Sequence, residues 1–215
     1  MRLPEQWWKN LYEAREKDRY VVVSSKIGHA FDPFILKIYR FIFRDKRIHP
    51  NVFTIFGTFF GFVASACIIF EYFLFGALAL LLSGFFDVLD GALARSLGKV
   101  TVFGGFLDSV LDRYTDLLVM GGIFFFYITH GSIRYASITF IATVGTAIIP
   151  YARARAEAAG IQCKSGLLER PERIVLLLIG LFIPPLLSSV MIVLAVLTHI
   201  TVIQRIVYVR RNAKD

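Results

Sequence analysis

Charged residues are scarce in this chain of 215 residues: 19% are Asp, Glu, Lys or Arg, whereas 56% are hydrophobic. An ordinary globular chain is about 25% charged and about 45–50% apolar. The apolar excess falls in blocks of about twenty residues, the length needed to cross a hydrocarbon core of about 30 Å. This composition excludes a secreted scaffold, a disordered chain and a soluble nucleic-acid binder, although the net charge is +8.

Cysteine and the familiar catalytic motifs are also scarce. The only two cysteines, Cys67 in an apolar block and Cys163 in a polar loop, predict no disulfide framework. The chain has no P-loop, HExxH, CxxC or GxSxG motif. Its four histidines are scattered, which predicts interface or packing roles for His29, His49, His130 and His199.

The first 49 residues are amphipathic, and no secretory signal is visible in them. Aromatic and aliphatic residues recur there at helical spacing among basic ones, which predicts one or two helices lying on the cytoplasmic membrane surface. A soluble cap packed on the bundle is the alternative. The apolar positions are Trp7, Trp8, Leu11, Tyr12, Phe31, Phe34, Ile35, Ile38, Phe41 and Ile42.

Residues 50–215 are predicted to form one domain of six transmembrane helices, so the fold class is an all-α polytopic membrane protein. Pro184-Pro185 forces a break after the fifth block. Small residues spaced as in Gly57-x3-Gly61 predict close helix packing in the first. The predicted spans are Asn51–Phe70, Tyr72–Leu93, Phe106–Ile128, Arg134–Tyr151, Leu168–Pro184 and Leu186–Val209.

The basic residues predict the orientation. Six spans put both termini on one side, and nearly all Lys and Arg then fall on that side, with Arg134 alone on the other. Positive loops remain cytoplasmic, so we expect a cell-membrane protein with its termini and active site facing the cytoplasm. A cationic inner face also suits anionic lipid headgroups.

Five carboxylates lie at or inside the ends of spans two and three, where a charge costs roughly 2.5–3.5 kcal/mol at mid-bilayer. Asp87 and Asp90 are spaced i, i+3 on one helix, and Asp108 and Asp112 are spaced i, i+4 on the next, with Asp116 continuing that stripe. Each pair shares a helix face. Two helices joined by a short turn can therefore bring four carboxylates to one point.

Such a cluster requires a compensating cation. Hard oxygen ligands without paired Cys or His favour Mg²⁺, Mn²⁺ or Ca²⁺ over zinc, and four anionic groups allow two ions, as in two-metal phosphoryl chemistry. Acidic helix caps with arginine partners are the alternative. The glycines that permit a turn between the two helices are Gly91, Gly98, Gly104 and Gly105.

The segment from Asp87 to Asp112 resembles the signature of the CDP-alcohol phosphotransferase family, D-x2-D-G-x2-A-R-x8-G-x3-D-x3-D. Eight fixed positions would match by chance about once in 10¹⁰ starts at average residue usage. Pro50-Asn51 before the first span and the six-span count agree more loosely. The matching residues are Asp87, Asp90, Gly91, Ala94, Arg95, Gly104, Asp108 and Asp112.

The resemblance implies a CDP-linked lipid donor, an alcohol acceptor, CMP as the leaving group, two Mg²⁺ or Mn²⁺ ions and a homodimer. It assigns metal binding to Asp87, Asp90, Asp108 and Asp112, and the general base to Asp112. We expect Asp112 to be at most loosely coordinated, since a metal ligand is a weak base, and Asp116 to pair with Arg113 or another basic residue. The residues implied for CDP-lipid binding are Asp87, Gly91, Ala94, Arg95 and Gly104.

Basic residues near the ends of the later spans indicate the acceptor. The stretches YARARAE (151–157) and ERPER (169–173) and a late Gln204-Arg205 resemble the branch of the family that makes phosphatidylinositol phosphate or its archaeal ether-lipid counterpart. That resemblance assigns the acceptor phosphate to Arg153, Arg155, Arg173 and Arg205. Arg153 stands where Lys is usual, which changes donor geometry. Taken alone, these arginines are also ordinary positive-inside residues.

Two alternatives remain open. Glycerol 3-phosphate would satisfy the same arginines as inositol phosphate, so a phosphatidylglycerophosphate synthase is the second enzymatic hypothesis. A membrane transporter also places carboxylates among spans, but it predicts inverted repeats, and the sequence shows none. Nothing in the sequence distinguishes an ester-lipid donor, CDP-diacylglycerol, from an ether-lipid donor, CDP-archaeol.

Overall fold

The computed structural model describes residues 37, 39, 49–163 and 166–213. The amphipathic helices predicted within residues 1–49 therefore lie almost wholly outside the described residues. The described chain is all-helical, as predicted, with α1 at Pro50–Ile69, α2 at Phe73–Ser96, α3 at Val102–Thr129, α4 at Ile133–Ala158, α5 at Arg170–Phe182 and α6 at Leu187–Asn212. A short 3₁₀ turn, Pro184–Leu186, joins α5 to α6.

Local chemistry explains where the helices begin. The His49 ring accepts a hydrogen bond from the backbone N–H of Asn51 (3.4 Å) at the start of α1. The Thr101 hydroxyl accepts from the N–H of Gly104 (3.0 Å) at the start of α3. Such side-chain caps satisfy donors that a first helical turn leaves unpaired. The α3 cap fixes the end of the helix that carries Asp108.

Each predicted span overlaps a helix, and four helices are long and apolar enough to cross a membrane: α1, α2, α4 and the last helix taken with its preceding turn. Helix α3 has 28 residues, but its segment from Asp108 to Asp116 carries four charged side chains. Helix α5 has 13 residues, about 20 Å at 1.5 Å per residue, which is shorter than the hydrocarbon core. The chain is a multi-pass membrane protein, and the count of six spans stays a prediction.

Small residues bring the helices together. Helix α1 packs against α2 and α3, and α4 packs against α6. A methyl group on Gly57 would lie 3.3 Å from the Ser83 carbonyl oxygen of α2, and one on Gly61 would meet Thr115 of α3 at 2.6 Å. The packing predicted for the Gly57-x3-Gly61 pair is confirmed, because both glycines lie buried at helix contacts.

The outer faces of the bundle are apolar. Large side chains such as Phe59, Phe62, Phe75 and Ile203 are more than half exposed, which soluble proteins avoid over wide areas but lipid tails accept. The side chains beneath these outer faces are buried. The largest fully buried side chains include Phe53, Ile68, Leu89, Leu93, Met120, Ile123, Leu181, Leu187, Met191 and Leu194.

Candidate active site

The acidic signature occupies the C-terminal half of α2 and the N-terminal half of α3, which are joined by a short turn through Gly98 (φ +60°). Positive φ is a backbone conformation that glycine adopts without steric cost. The chain therefore reverses direction within five residues and returns the α3 carboxylates to the level of those on α2.

Three of the predicted carboxylates converge. Asp87, Asp108 and Asp112 each present an oxygen atom, and these oxygens all lie within 4.8 Å of one another. Like charges at this separation repel unless a cation lies among them. The three side chains are only partly exposed, so solvent screening is limited.

Asp90 lies beside this trio rather than within it. An i, i+3 spacing rotates a side chain by about 60° around the helix, and Asp90 accordingly contacts the Thr54 hydroxyl of α1. Its Oδ2 and the Oδ1 of Asp108 are buried without a hydrogen-bond partner among the described residues. Buried oxygens without partners are costly, and they are the donors that a divalent cation requires.

Arg170, at the first turn of α5, is a residue that the sequence-based assignment did not include. Its Nη1 lies 2.8 Å from Asp87 Oδ2 and 2.8 Å from Asp112 Oδ1. Its Nε lies 3.5 Å from Asp116 Oδ1. Since Arg170 and Arg173 are spaced i, i+3 and share a face of α5, the spacing offered a signal that could have identified it.

Asp116 connects α3 to α5. Its Oδ2 accepts a hydrogen bond from Arg173 Nη2 at 2.8 Å and from Arg113 Nη1 at 3.4 Å. Asp116 and Arg173 are both buried. The prediction that Asp116 pairs with Arg113 or another basic residue is confirmed, with Arg170 as a third partner.

The four arginines expected at the acceptor phosphate differ in their surroundings. Arg205 is buried, donates to the Ile149 carbonyl oxygen and lies 3.6 Å from Glu169. The charges of Arg153 and Arg173 also act on Arg205.

Arg153 and Arg155 both lie on the last turns of α4. The first is exposed and pairs with Glu157 at 3.0 Å, and the second is also exposed. Helix α4 continues through Pro150 to Ala158. Because residues two apart do not share a face of a helix, α4 does not bring Arg155 to the same side as Arg153.

Helix α6 holds the segment that leads into α5. The Gln204 side-chain oxygen accepts from the N–H of Leu167 (3.0 Å), and the Thr201 hydroxyl accepts from the N–H of Leu168 (3.1 Å). A methyl group on Gly166 would lie 3.2 Å from the Arg205 guanidinium. These contacts fix the position of Glu169 and Arg170 relative to α6.

The fold and these side chains define a class of protein: a multi-pass membrane protein with a partly buried carboxylate site whose hard oxygens suit Mg²⁺ or Mn²⁺. The profile of the family described as CDP-alcohol phosphatidyltransferase matches residues 47–203. The chain belongs to the CDP-alcohol phosphatidyltransferase family, and it is a transferase of that type.

The names of two relatives agree with this family assignment. The archaetidylinositol phosphate synthase of Methanothermobacter thermautotrophicus is 43% identical over 144 residues, which cover 65% of this chain and 71% of that protein. The phosphatidylinositol phosphate synthase of Mycobacteroides abscessus is 38% identical over 171 residues, which cover 76% of this chain and 78% of that protein.

Solved structures are also similar. The phosphatidylinositol phosphate synthase of Mycobacterium tuberculosis with CDP-DAG bound superposes with a TM-score of 0.73 at 34% identity, over 83% of this chain and 92% of that one. The same enzyme in complex with manganese and citrate gives a TM-score of 0.75 at 34% identity, over 82% and 88%. A divalent metal and a CDP-linked lipid thus both occur in proteins of this fold.

Proposed function

We propose that this chain transfers a phosphatidyl or archaetidyl group from a CDP-linked lipid to the hydroxyl of inositol phosphate and releases CMP. The observation that carries the proposal is the convergence of Asp87, Asp108 and Asp112 within 4.8 Å, inside a signature that matches the family at every fixed position. The names of the relatives support the acceptor.

The residues fit a divalent metal site. Asp87, Asp108 and Asp112 supply oxygens that converge, and Asp90 adds a buried oxygen without a partner in the described part of the chain. We propose that these four hold two Mg²⁺ or Mn²⁺ ions. Ions held by these residues would supply the positive charge that offsets the negative charge developing on CMP as it leaves.

Asp112 is proposed as the general base. Its carboxylate accepts the proton of the acceptor hydroxyl, the hydroxyl oxygen forms a bond to the lipid-side phosphorus, and the bond from that phosphorus to the oxygen of CMP breaks. Asp112 is a member of the acidic trio, and its Oδ1 lies 2.8 Å from Arg170 Nη1. A base must be within hydrogen-bond reach of the proton that it accepts, and the assignment of this role to Asp112 rests on the family signature.

The turn between α2 and α3 is proposed to receive the nucleotide. A methyl group on Gly91 would lie 3.1 Å from Arg95 Nη1, and one on Gly104 would lie 2.9 Å from the Thr101 hydroxyl and 3.4 Å from the Asn51 side-chain oxygen. Glycine at these two positions lets the polar side chains of Arg95, Thr101 and Asn51 lie close to the backbone of α2 and α3. Asp87, Ala94 and Arg95 complete the proposed CDP-lipid site.

The arginines are proposed to hold the acceptor phosphate. Arg173 and Arg205 are buried, and Arg153 lies close enough to Arg205 to interact with it. Several cations around one site suit a doubly charged phosphate and suit serine or choline poorly. Arg155 is included in the proposed phosphate site only because it matches the family pattern.

The proposal also includes the orientation of the chain in the membrane, the lipid tails of the donor and the oligomeric state. The distribution of basic residues supports a cytoplasmic position for both termini and the active site. The proposal includes either an ester-lipid or an ether-lipid donor, and the homodimer is proposed from the family pattern. The transporter considered from the sequence is excluded, because the chain belongs to a transferase family.

An acceptor panel tests the proposal. The purified protein is incubated with Mg²⁺ and CDP-diacylglycerol or CDP-archaeol, together with inositol 1-phosphate, inositol, glycerol 3-phosphate or serine, and CMP is measured. We expect CMP release with inositol 1-phosphate and none in excess chelator. Release with glycerol 3-phosphate alone would contradict the acceptor, and no release with any acceptor would contradict the reaction.

A further inference from the structure

Arg170 lies between Asp87 and Asp112, two carboxylates that the proposed metal site requires. A single nitrogen, Nη1, lies 2.8 Å from both Asp87 Oδ2 and Asp112 Oδ1. Both aspartates belong to the trio whose oxygens could hold a metal ion. The guanidinium therefore bridges α2 and α3 from α5.

The neighbouring arginines behave differently. Arg113 Nη1 and Arg173 Nη2 pair with Asp116 Oδ2, at 3.4 Å and 2.8 Å, and Asp116 lies outside the signature. Arg170 is thus set apart by its direct contact with signature carboxylates. Its own contact with Asp116 is an ion pair through Nε at 3.5 Å, and this Nε has no hydrogen-bond partner among the described residues.

A divalent ion and this guanidinium require the same groups. A Mg²⁺ ion binds carboxylate oxygens at about 2.0–2.1 Å, and a guanidinium bridging the same oxygens would then lie within a few ångströms of a double positive charge. Repulsion between cations at that separation is strong in a site with little water. The short contacts of Arg170 with Asp87 and Asp112 are therefore weakened when a divalent ion binds the same carboxylates.

We infer that Arg170 is an internal counter-ion that competes with divalent metal for Asp87 and Asp112 and moves away from them when metal binds. Asp116 provides a second anchor through which the side chain stays attached to α3 after the exchange. The carboxylates are then never left without a cation inside the membrane protein, and loading of the metal makes a guanidinium available beside the site. This inference rests on the metal site of the proposed function.

Titration with Mn²⁺ in the absence of substrates tests the exchange, with free ion measured by electron paramagnetic resonance. The variant Arg170→Gln removes the competing charge and its bridge. Since metal no longer has to replace two charge-assisted hydrogen bonds, we expect Arg170→Gln to bind Mn²⁺ at least ~10-fold more tightly than the wild type.

Arg113→Gln is the matched control, because it removes one positive charge from the same region without touching Asp87 in the structure. The change in Mn²⁺ affinity of Arg113→Gln measures the effect of removing any nearby positive charge. The gain in Mn²⁺ affinity of Arg170→Gln should be larger by ~5-fold or more. Equal gains in the two variants, or weaker Mn²⁺ binding by Arg170→Gln, would overturn the inference while leaving the metal site in place. Absence of Mn²⁺ binding in every variant would overturn both.

Two further measurements keep the test valid if Arg170→Gln does not fold. Arg170→Lys keeps the charge but loses the planar fork, so its Mn²⁺ affinity should lie between those of the wild type and the expected glutamine variant. In the wild type, saturating Mg²⁺ should increase modification of Arg170 by phenylglyoxal, read by mass spectrometry, relative to Arg205. Unchanged or reduced modification of Arg170 would contradict its release.

Discussion

The two halves of the site are built differently. On α2 and α3, carboxylates crowd together and two of their buried oxygens have no partner among the described residues. On α5 and α6, the buried arginines are held by the chain itself: Arg173 by Asp116, and Arg205 by Glu169 and the Ile149 carbonyl. The acidic half therefore keeps oxygens available for cations, whereas the basic half has its side chains fixed in place before any ligand arrives.

This difference indicates how the two halves contribute. Carboxylates that lack internal partners depend on an external ion for stability and gain chemical function from it. Arginines already held by the chain lose less conformational freedom when an anion binds, which favours selectivity. Arg170 belongs to both halves, because it lies on α5 and contacts the acidic trio.

The largest effect is expected in the acidic half. Asp112→Asn should lower kcat by about 10³-fold, since general-base catalysis contributes roughly 10²–10⁴-fold, while the dissociation constant for the CDP-linked lipid changes little. Steady-state kinetics and equilibrium binding of the donor measure the two quantities separately. Equal losses in turnover and donor binding would make Asp112 a binding residue and remove its assignment as the base.

Asp116→Asn tests whether the two halves depend on each other. The substitution leaves Arg113, Arg170 and Arg173 without the charge that they share, and removing one partner of a buried ion pair costs about 3–5 kcal/mol. We expect the thermal midpoint in detergent to fall by several degrees and acceptor KM to rise. An unchanged midpoint would show that the network does not stabilise the junction of α3 with α5.

A comparison of two arginines sharpens the account of the basic half. Arg205→Lys should raise the KM for inositol phosphate by about 10-fold, because an ammonium group cannot reproduce the donor geometry of a planar guanidinium. Arg155→Lys should change KM by less than about 2-fold, because Arg155 is exposed and a flexible ammonium can replace its charge. The opposite ranking would assign the phosphate to the α4 arginines instead.

The smallest effect is expected at the far end of the bundle. Glu71 and His130 pair at 3.1 Å between the α1–α2 and α3–α4 turns, and both side chains are exposed. Exposed pairs contribute about 0–1 kcal/mol, so Glu71→Gln should leave the thermal midpoint nearly unchanged. If Glu71→Gln lowered the thermal midpoint as much as Asp116→Asn does, burial would not explain why the Asp116 ion pairs stabilise the protein more than the Glu71–His130 pair.

Much of the fold could be predicted because the helices are long and apolar. The helices α1, α2, α4 and α6 follow from blocks of hydropathy, and the short α5 follows from the break at Pro184-Pro185. The predicted boundaries were less accurate near charged ends. Helix α3 begins at Val102 rather than Phe106, and α4 continues seven residues past Tyr151 to Ala158, because polar termini remain helical beyond the hydrocarbon region.

The site was predictable where spacing along one helix determines it. The i, i+4 pair Asp108 and Asp112 points to one place, whereas the i, i+3 step from Asp87 to Asp90 carries the second carboxylate toward Thr54. The bridge made by Arg170 joins α5 to residues far away in the sequence. Periodicity on one helix cannot determine which cation of another helix will reach the cluster, since that depends on how the helices pack.

Diffraction from crystals grown with Mn²⁺, recorded near the manganese absorption edge, tests the central claim most directly. We predict an anomalous peak at about 2.0–2.3 Å from carboxylate oxygens of Asp87, Asp108 and Asp112. The account would be contradicted by carboxylates that point apart or by no peak among them at saturating Mn²⁺.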